Sequence, residues 1–318
     1  MNGNSHLATL LAICFGLLLL TWQDTPLSPA LTQRTGATTV NATDYSTLQA
    51  AVDALPKSGG VVHIPPGEYE IYKPIWVTRD NVRIQGAGPS TRIINRNQNA
   101  EHALTLEHKE RPDEPLARLI RVEVANLRLS GNPKSGDGIF IEGIKELYLE
   151  GVTVDHHGEH GIRVLDSFQN PRIIGCSVHD NGLDGLYVLS GHDLVISGNQ
   201  FQNNRDGISA HGSTNLCLTG NSINDHRRHG VVLEDASPSV ITGNVIEECE
   251  GQTVALSKES RRSSITGNVF ADNGAGITLN QSVDVVVSGN IFAGITAPAV
   301  KSSGQCKRVV VDVNAISE

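Results

Sequence analysis

A glycine-containing motif recurs along this chain at intervals of 22 to 24 residues, and this period restricts the fold more than any other property of the sequence. The glycines stand at positions 151, 175, 198, 220, 243, 267 and 289. A second motif alternates with the first, and in it an Asp or His precedes Gly, as at Asp184, Asp206 and His229. A fixed period of this length is the signature of a repeat architecture.

One repeat is composed of short strands and turns. In residues 193–210, aliphatic and polar residues alternate, and Gly, Asn and Asp interrupt the alternation. This pattern predicts short strands joined by turns. Leucine-rich repeats have a similar period, and Leu216, Leu218, Asn221 and Ile223 fit part of their pattern. The rest of the repeat offers Asn, Gly and Asp where that fold has a helix, so the sequence favours an all-β, single-stranded right-handed parallel β-helix.

Equivalent residues of successive coils should stack, because one coil buries little surface and a column buries much, at about 25 cal/mol per Å². One predicted inward column contains Leu149, Ile173, Ile196, Leu218, Ile241, Ile265 and Val287. Another contains Ile139, Ile162, Leu186, Ile208, Val231 and Ile277. A shared turn position predicts a ladder of side-chain hydrogen bonds through Asn181, Asn204 and Asn273.

Charge and composition exclude some partners. The 318 residues have a net charge of −9, which argues against nucleic acid and anionic membranes, although a local basic patch can still bind an acidic sugar polymer. Aromatic residues amount to 4 per cent, as expected for tight coils with aliphatic cores. Three disulfide connectivities are open to Cys176, Cys217, Cys249 and Cys306, and buried free thiols are the favoured interpretation.

Three segments are predicted along the chain. Residues 1–30 include an apolar, uncharged stretch typical of a secretory signal peptide or a membrane anchor, and either one predicts export. Residues 31–43 are a polar linker. Residues 44–318 form the β-helix domain, which begins with a predicted capping helix over residues 45–55. Residues 102–113 break the rhythm of the repeats and are predicted to form a loop at the rim of a groove.

The segment after the linker resembles the N-terminal cap of the pectate-lyase-like superfamily. The resemblance rests on LQAAVDA at residues 48–54, GGVVHIPPGEY at 59–69, PIWV at 74–77 and NVRIQGAG at 81–88, and on the repeats from Gly131 onward. It implies a right-handed parallel β-helix from residue 44 onward. It implies no single chemistry, because the superfamily includes lyases, hydrolases, epimerases, phage adhesins and non-catalytic binders.

Four outward side chains form the predicted catalytic site. Coils stacked ~4.8 Å apart bring His160, Arg163, Asp184 and Tyr187 to one face. Removal of the proton α to the carboxylate of a uronic acid needs a base, an acid and a cation that stabilises the developing enolate. In this hypothesis His160 and Tyr187 are base and acid, and Arg163 holds the carboxylate. Asp184 orients His160 or binds the sugar.

Substrate binding is predicted for five further residues, which are His157, His179, Asp206, Arg228 and His229. Asp184 and Asp206 also leave a glycoside hydrolase open, because carboxylates one coil apart approach the ~5–5.5 Å spacing of retaining enzymes. Turn formation explains an Asp before Gly equally well. The histidines match no zinc motif, so no metal site is predicted; no cofactor is predicted either, with calcium left open.

The residue types of this site resemble those of mannuronan C5-epimerases, although the Tyr-Gly-x-Asp-Pro-His motif of that family is absent. The arginine-rich, calcium-dependent motif of pectate lyases is absent as well. The sequence therefore predicts an exported polysaccharide lyase or C5-epimerase that acts on a uronate-containing polymer. The alternatives are a non-catalytic module that binds glycans or protein partners, and the glycoside hydrolase. The expected partner is a polysaccharide rather than nucleic acid, and a membrane only through residues 1–30.

Overall fold

The computed structural model describes residues 38–295 and 298–317, which form 33 strands and very little helix. The first eleven strands are β1 (Thr39–Asn41), β2 (Gly60–His63), β3 (Gly67–Ile71), β4 (Ile75–Val77), β5 (Val82–Gln85), β6 (Thr91–Asn95), β7 (Leu104–Glu107), β8 (Leu119–Ala125), β9 (Arg128–Ser130), β10 (Ile139–Glu142) and β11 (Ile144–Glu150). The next eleven are β12 (Thr153–Asp155), β13 (Ile162–Leu165), β14 (Arg172–Ile174), β15 (Ser177–His179), β16 (Leu186–Leu189), β17 (Val195–Ser197), β18 (Gln200–Gln202), β19 (Ile208–His211), β20 (Leu216–Thr219), β21 (Ser222–Asn224) and β22 (Val231–Glu234). The last eleven are β23 (Ser239–Thr242), β24 (Val245–Glu247), β25 (Gln252–Ser257), β26 (Arg261–Thr266), β27 (Val269–Ala271), β28 (Ala275–Asn280), β29 (Val283–Ser288), β30 (Ile291–Ala293), β31 (Val300–Ser303), β32 (Lys307–Asp312) and β33 (Ala315–Ser317).

The strands form three parallel sheets, and each complete coil contributes one strand to each sheet. Sheet A contains β1, β2, β5, β8, β11, β14, β17, β20, β23, β26, β29 and β32. Sheet B contains β3, β6, β9, β12, β15, β18, β21, β24, β27, β30 and β33. Sheet C contains β4, β7, β10, β13, β16, β19, β22, β25, β28 and β31. The predicted right-handed parallel β-helix is therefore confirmed, and the leucine-rich repeat is excluded.

Both predicted aliphatic columns are confirmed by the strand register. Ile173 pairs with Ile196 in sheet A, and Ile162 pairs with Leu186 in sheet C. Val254 completes the second column between Val231 and Ile277. The interior therefore follows directly from the alternation of apolar residues in each repeat.

The glycines of the two motifs are required for different reasons. Gly198 has φ +64°, in the left-handed region where other residues are strained, and it turns the chain from sheet A to sheet B. Gly185 lies against the next coil, and a Cβ there would stand 2.8 Å from the carbonyl oxygen of Gly207. The glycine of the first motif therefore allows the turn between sheets A and B. The glycine of the second motif allows the coils to stack closely before sheet C.

A hydrogen-bonded ladder is formed by the asparagines that follow the last five glycines of the first motif, together with Asn314. Each Oδ1 accepts the backbone N–H of the equivalent residue one coil earlier, as between Asn199 and Asn221 at 3.0 Å. Each Nδ2 then donates to the carboxamide oxygen of the next coil, again 3.0 Å from Asn199 to Asn221. The same pattern runs through Asn244, Asn268, Asn290 and Asn314. Buried amides that are satisfied in this way fix the coil register.

A second ladder runs along the turn between sheets B and C, where asparagines were predicted to stack. The backbone N–H of Asn181 donates to Oδ1 of Asn204 at 3.0 Å, which confirms that prediction. Two histidines belong to the same ladder, because His157 N–H donates to Asn181 and His226 Nδ1 accepts from Asn204 N–H. Asn273 continues it by accepting from Cys249 N–H.

The N-terminal end of the β-helix is covered by helix α1 (Leu48–Asp53), which is shorter than the predicted helix over residues 45–55. The Thr47 hydroxyl caps it by accepting from Ala50 N–H, and Leu48, Ala51 and Val52 are buried. The predicted signal peptide or anchor at residues 1–30 lies outside the described residues. The described part of residues 31–43 contains strand β1, which pairs with β2.

All four cysteines of the described chain are free, as predicted, and two of them, Cys176 and Cys249, are buried. Burial raises the pKa of the Cys176 thiol to about 11 and that of Cys249 to about 12. Among residues 38–295 and 298–317, no helix is long and apolar enough to cross a bilayer.

Candidate functional site

The outer face of sheet C carries the predicted site. Strand register places Phe140 beside Arg163, Arg163 beside Tyr187, and Tyr187 beside Ser209. These side chains project outward because the residues on either side of each of them point into the core. Stacking of the coils thus brings Arg163 and Tyr187 together, although they are far apart in the sequence.

The corner before sheet C carries a row of buried aspartates, and most of their oxygens are occupied. Asp184 Oδ1 accepts the backbone N–H of Asp206, and Asp206 Oδ1 accepts that of His229. Arg205 donates from Nε and Nη2 to both oxygens of Asp184, at 2.8 and 2.9 Å. Arg228 binds Asp206 in the same bidentate way. These carboxylates therefore hold the coils together, and each of them occupies the Nε and Nη2 donors of its arginine.

Asp137, at the same corner, lacks a bidentate arginine. Its Oδ1 accepts the backbone N–H of His160, while its Oδ2 is buried without a hydrogen bond. The nearest groups to Oδ2 are His102 Nδ1 at 3.3 Å and Arg163 Nη1 at 3.7 Å. Burial raises the pKa of Asp137 to about 7, well above that of an ordinary carboxyl. Asp137 can therefore exchange a proton near neutral pH.

His160 is held as a neutral hydrogen-bond donor. Its Nδ1 accepts the backbone N–H of Asp184 at 3.2 Å, so the ring proton resides on Nε2. Burial, with the positive charges of Arg163 and Arg205, lowers the pKa of His160 to about 3. Its ring lies 4.8 Å from the ring of Tyr187, centroid to centroid. The predicted pair therefore meets, with His160 as the donor.

Arg163 differs from the neighbouring arginines in what it contacts. Its guanidinium carbon lies 5.6 Å from the centroid of Phe140 and 5.9 Å from that of Tyr187. The side chain is 34 per cent exposed, although its Nε is buried and has no hydrogen-bond partner. The two rings therefore hold a cation that remains partly exposed to solvent.

His211, which lies near Tyr187, and its partner Glu234 were not among the predicted site residues. His211 lies on strand β19 with its ring 5.3 Å from that of Tyr187, and its Nδ1 is 3.0 Å from Glu234 Oε2. A carboxylate only accepts, so Nδ1 carries the proton and Nε2 keeps a lone pair. The sequence pattern contains a signal for His211. Ser209 pairs with Tyr187, and His211 is two residues further along the same strand, so it points to the same outer face.

The predicted loop over residues 102–113 is wrong in part, because Leu104–Glu107 form strand β7 of sheet C, and the loop that borders this face begins only after that strand. His102 stacks in parallel on Phe140, with centroids 4.7 Å apart. Further along, Arg111 pairs with Glu142 at 3.0 Å and with Asp166 at 2.6 Å, and it also donates to two carbonyls of its own loop. The loop is therefore fastened to the ends of strands β10 and β13.

The residues predicted to bind substrate are dispersed. His157 is inside the second ladder and 1 per cent exposed, so it has a structural position. His179 lies on sheet B, away from Arg163, beside His156. His229 Nδ1 accepts the backbone N–H of Gln252, and Asp206 and Arg228 are paired with each other. The structure brings together His160, Arg163 and Tyr187, with Asp184 behind His160.

Comparisons with known proteins agree on the fold. The family model described as "Periplasmic copper-binding protein (NosD)" matches residues 121–305. No curated protein matches the chain significantly in sequence. Among solved structures, the A-module of the Azotobacter vinelandii mannuronan C-5 epimerase AlgE4 has a TM-score of 0.58 at 17% identity, and the match covers 88% of this chain and 98% of that one.

Two further solved structures are similar at comparable levels. ORF18 of Geobacillus virus E2 has a TM-score of 0.56 at 18% identity, and the match covers 86% of this chain but only 61% of that one. The family 28 exopolygalacturonase of Yersinia enterocolitica has a TM-score of 0.54 at 11% identity, with 88% and 79% covered. Such low identities show a shared β-helix and leave the chemistry to the residues of this chain.

Proposed function

The chain belongs to the family described as periplasmic copper-binding protein (NosD), and we propose that it is an exported β-helix protein. We propose further that its sheet C face acts on a uronate-containing polysaccharide. Several proteins of the same fold act on sugar polymers according to their names, among them the epimerase and the exopolygalacturonase. The reaction is β-elimination or C5-epimerisation, which share their first step.

The observation that carries this proposal is the environment of Arg163. Arg205 and Arg228 are neutralised by buried aspartates, whereas the nearest carboxylate to Arg163 is 3.7 Å away. A partly exposed guanidinium fork between two aromatic rings matches the carboxylate of a uronic acid, and the rings offer apolar surface to the sugar. An acidic sugar therefore gains its charge partner on this face despite the negative charge of the whole protein.

Proton transfer follows from the neighbours of Arg163. With the substrate carboxylate on Arg163, the C5 proton passes to His211 Nε2, and the electron pair forms an enolate. His160 donates a hydrogen bond from Nε2–H to the developing negative charge. In elimination the enolate expels the C4 oxygen, which takes the proton of the Tyr187 hydroxyl, and a C4–C5 double bond forms. In epimerisation the Tyr187 hydroxyl instead gives its proton to the opposite face of C5, and the proton held by His211 then restores the tyrosine hydroxyl through solvent.

Asp137 gives this reaction a distinctive pH dependence. Its carboxyl lies 3.7 Å from Arg163, and its pKa is raised to about 7 by burial. Ionisation of Asp137 adds a negative charge beside the guanidinium that should bind substrate. We expect the apparent affinity for the polymer to fall as the pH rises through about 7, and Asp137→Asn to remove that limb of the profile.

The test combines a panel of polymers with one matched pair of variants. Purified protein is incubated with alginate, pectate and glycosaminoglycans, and absorbance reports new unsaturated ends while NMR reports inverted C5 centres. Arg163→Gln should lower the rate at least 100-fold. The control is Arg172→Gln, because Arg172 lies 6.0 Å from the Tyr148 ring on sheet A in a similar arrangement. Equal loss in both variants contradicts the proposal.

A non-catalytic glycan-binding module is the alternative that the same panel detects. If no polymer changes but an acidic polymer is retained by the wild type and released by Arg163→Gln, the face binds without reacting. A glycoside hydrolase that uses Asp184 and Asp206 has less support, because both carboxylates are held by arginines. New reducing ends without unsaturation would favour it.

The family description also names copper, and the described residues fit it only through imidazole nitrogens. Soft sulfur ligands suit Cu(I). Met1 is the only methionine and lies outside the described residues, while Cys176 and Cys249 are buried in two different ladders. Cys217, on strand β20, and Cys306, before strand β32, are half-buried and lie on different coils. Exposed imidazoles suit Cu(II), and the rings of His156 and His179 have centroids 6.2 Å apart.

A further inference from the structure

The outward row of sheet C continues beyond Phe140 towards the N-terminal end of the β-helix, and it ends at Trp76. Strand register places Trp76 beside Thr105, and Thr105 beside Phe140. Trp76 therefore lies three coils before Arg163, at a distance of ~14 Å for coils ~4.8 Å apart. Trp76 projects outward, because the residues on either side of it point into the core, and it is 43 per cent exposed.

The backbone of Trp76 is fixed although β4 is an edge strand of sheet C. Its N–H donates to Gln49 Oε1 at 2.7 Å, and its carbonyl accepts from Gln49 Nε2 at 3.2 Å. The carboxamide of Gln49, on helix α1, thus takes the place of the next strand, and its Nε2 also donates to Asp53 Oδ1 at 2.9 Å. The indole is therefore carried by a backbone that is ordered before a ligand arrives, which lowers the entropic cost of binding.

A groove runs beside Trp76, between the start of helix α1 and the turn from sheet B to sheet C. It has a volume of about 750 Å³, and Gln49, Tyr72, Lys73 and Glu101 also line it. Tyr72 is exposed like Trp76, so two large aromatic side chains face one groove. Such side chains offer a broad apolar surface to the C–H face of a pyranose ring, while the polar edge of each stays in water.

The groove is continuous with the candidate site on sheet C. Glu101 lines the groove, and the next residue, His102, stacks on Phe140 with ring centroids 4.7 Å apart. Phe140 in turn lies 5.6 Å from the guanidinium carbon of Arg163. Thr105, between the two aromatic positions of the row, is 1 per cent exposed, so the rings on either side of it supply the contact surface. A chain that leaves Arg163 along this row meets aromatic surface again at its N-terminal end.

The groove has no excess of either charge, unlike the surroundings of Arg163. Glu70 in its wall is neutralised by Arg96, whose Nη2 lies 2.8 Å from Glu70 Oε1. Lys73 and Glu101 remain, with opposite charges and without an ion pair among residues 38–295 and 298–317. A ligand in the groove is consequently held by contact with the rings rather than by charge.

We propose that Trp76 is a distal sugar-binding subsite of the sheet C face, on which a sugar unit stacks three units away from the uronate that binds Arg163. This inference rests on the proposed function, and it specifies the substrate as a chain of roughly four or more units, because one pyranose unit of an extended chain is about as long as the ~4.8 Å step between coils. The distal sugar needs no carboxylate. Stacking on Trp76 strengthens the ground state and the transition state equally, so it lowers KM for long substrates and not the barrier to proton transfer.

Occupancy of the subsite is measured by the fluorescence of Trp76. Trp22 and Trp76 are the only tryptophans, so the full chain with Trp22→Phe has a single emitter. This protein is titrated with trisaccharides and hexasaccharides prepared from alginate, pectate and a glycosaminoglycan. Hexasaccharides of the polymer that binds should shift the emission, whereas trisaccharides of the same polymer, held at Arg163, are too short to reach Trp76.

The matched measurement is a comparison of substrate lengths in three variants. Trp76→Ala should raise KM for the hexasaccharide about 10-fold, with little change in kcat or in KM for the trisaccharide. Trp76→Phe retains a ring and should recover most of the loss. Tyr148→Ala is the control, because Tyr148 is a similarly exposed aromatic residue, at 38 per cent, on the outer face of sheet A, and it should behave as the wild type does. Dissociation constants replace KM if the face binds without reacting.

Failure of the subsite and failure of the proposed function give different results. Unfolding temperatures first verify that all variants are folded. Equal effects of Trp76→Ala on both lengths overturn the subsite, as does an equal loss in Tyr148→Ala or the absence of an emission shift with every hexasaccharide. If Arg163→Gln alone weakens both lengths, the proposed function stands without the subsite. If Trp76→Ala weakens the hexasaccharide while Arg163→Gln changes nothing, the groove binds sugar and the proposed role of Arg163 is wrong.

Discussion

The outer face of sheet C differs between its two halves although the backbone is the same. Strands β10, β13 and β16 present Phe140, Arg163 and Tyr187, whereas the same positions of β22, β25 and β28 carry Val232, Ala255 and Thr278. The inward residues show no such contrast, since Ile162 and Ile277 are both fully buried. The interior is therefore conserved from coil to coil within the molecule, and chemistry is confined to a few outward positions of the first half.

The largest expected effect tests whether the scaffold is equally strong in both halves. Asn199→Leu and Asn268→Leu each remove buried amide hydrogen bonds to the coils on both sides. Each should cost about 3 kcal/mol, because buried backbone N–H groups lose their acceptor. Urea unfolding measures the two costs. If the two losses of unfolding free energy differ by more than about 1.5 kcal/mol, the ladder stabilises one half of the β-helix more than the other.

The next effect concerns the chemical half. Tyr187→Phe keeps the ring beside His160 and His211 but removes the hydroxyl, and turnover of the acidic polymer should fall by about 100-fold. Thr278→Val is its matched control at the same register position in the second half. Steady-state rates with the polymer identified in the panel measure both. Similar losses would mean that the reaction is not confined to the first half.

A smaller effect is expected on the pH dependence of stability. It distinguishes the histidines of the second ladder from its asparagines, which do not titrate. Burial lowers the pKa of His226 from 6.5 to about 4, so the unfolded chain binds more protons in that interval. The stability contributed by neutral His226 is present above about pH 6.5 and is lost as the pH falls towards 4. The wild type should therefore lose about 2 kcal/mol of unfolding free energy between about pH 8 and about pH 5 because of His226. His226→Asn should not show this loss.

The control for this prediction lies in the other buried histidines. His102, His157 and His160 also have lowered pKa values, and their contributions are common to both proteins and cancel. Urea unfolding at the two pH values supplies the measurement. Parallel pH profiles for wild type and His226→Asn would mean that His226 does not contribute to acid sensitivity.

The smallest effect is expected on the outer face of the second half. Val286 is 41 per cent exposed on sheet A, and Val286→Thr should change the free energy of unfolding by less than about 0.5 kcal/mol. Thermal unfolding measures the change. A loss above about 1 kcal/mol would mean that this face is covered by another molecule in solution.

The fold was predictable because its determinants are local and periodic. Ile173 and Ile196 are recognisable as partners from spacing alone, and the ladder of Asn181 and Asn204 follows from the same count. The six-membered ladder from Asn199 to Asn314 was not foreseen, since an Asn after Gly is equally typical of a simple turn.

The site was predicted less completely, because its details depend on contacts between loops and neighbouring coils. His160, Arg163 and Tyr187 share a face as expected. Neither the neutralisation of Asp184 by Arg205 nor the placement of His102 beside Asp137 has a periodic signature. Both contacts form between side chains of different coils or of an inserted loop. The period of the repeat does not predict such contacts.

The ladders make the length of this protein adjustable. Asn221 and Asn244 each receive one set of hydrogen bonds from the coil before and give one set to the coil after. Duplication or deletion of one whole 22- to 24-residue unit therefore restores the same junction on both sides. A gene encoding such a chain can lengthen or shorten its product in the second half without disturbing the surface where Arg163 and Tyr187 lie.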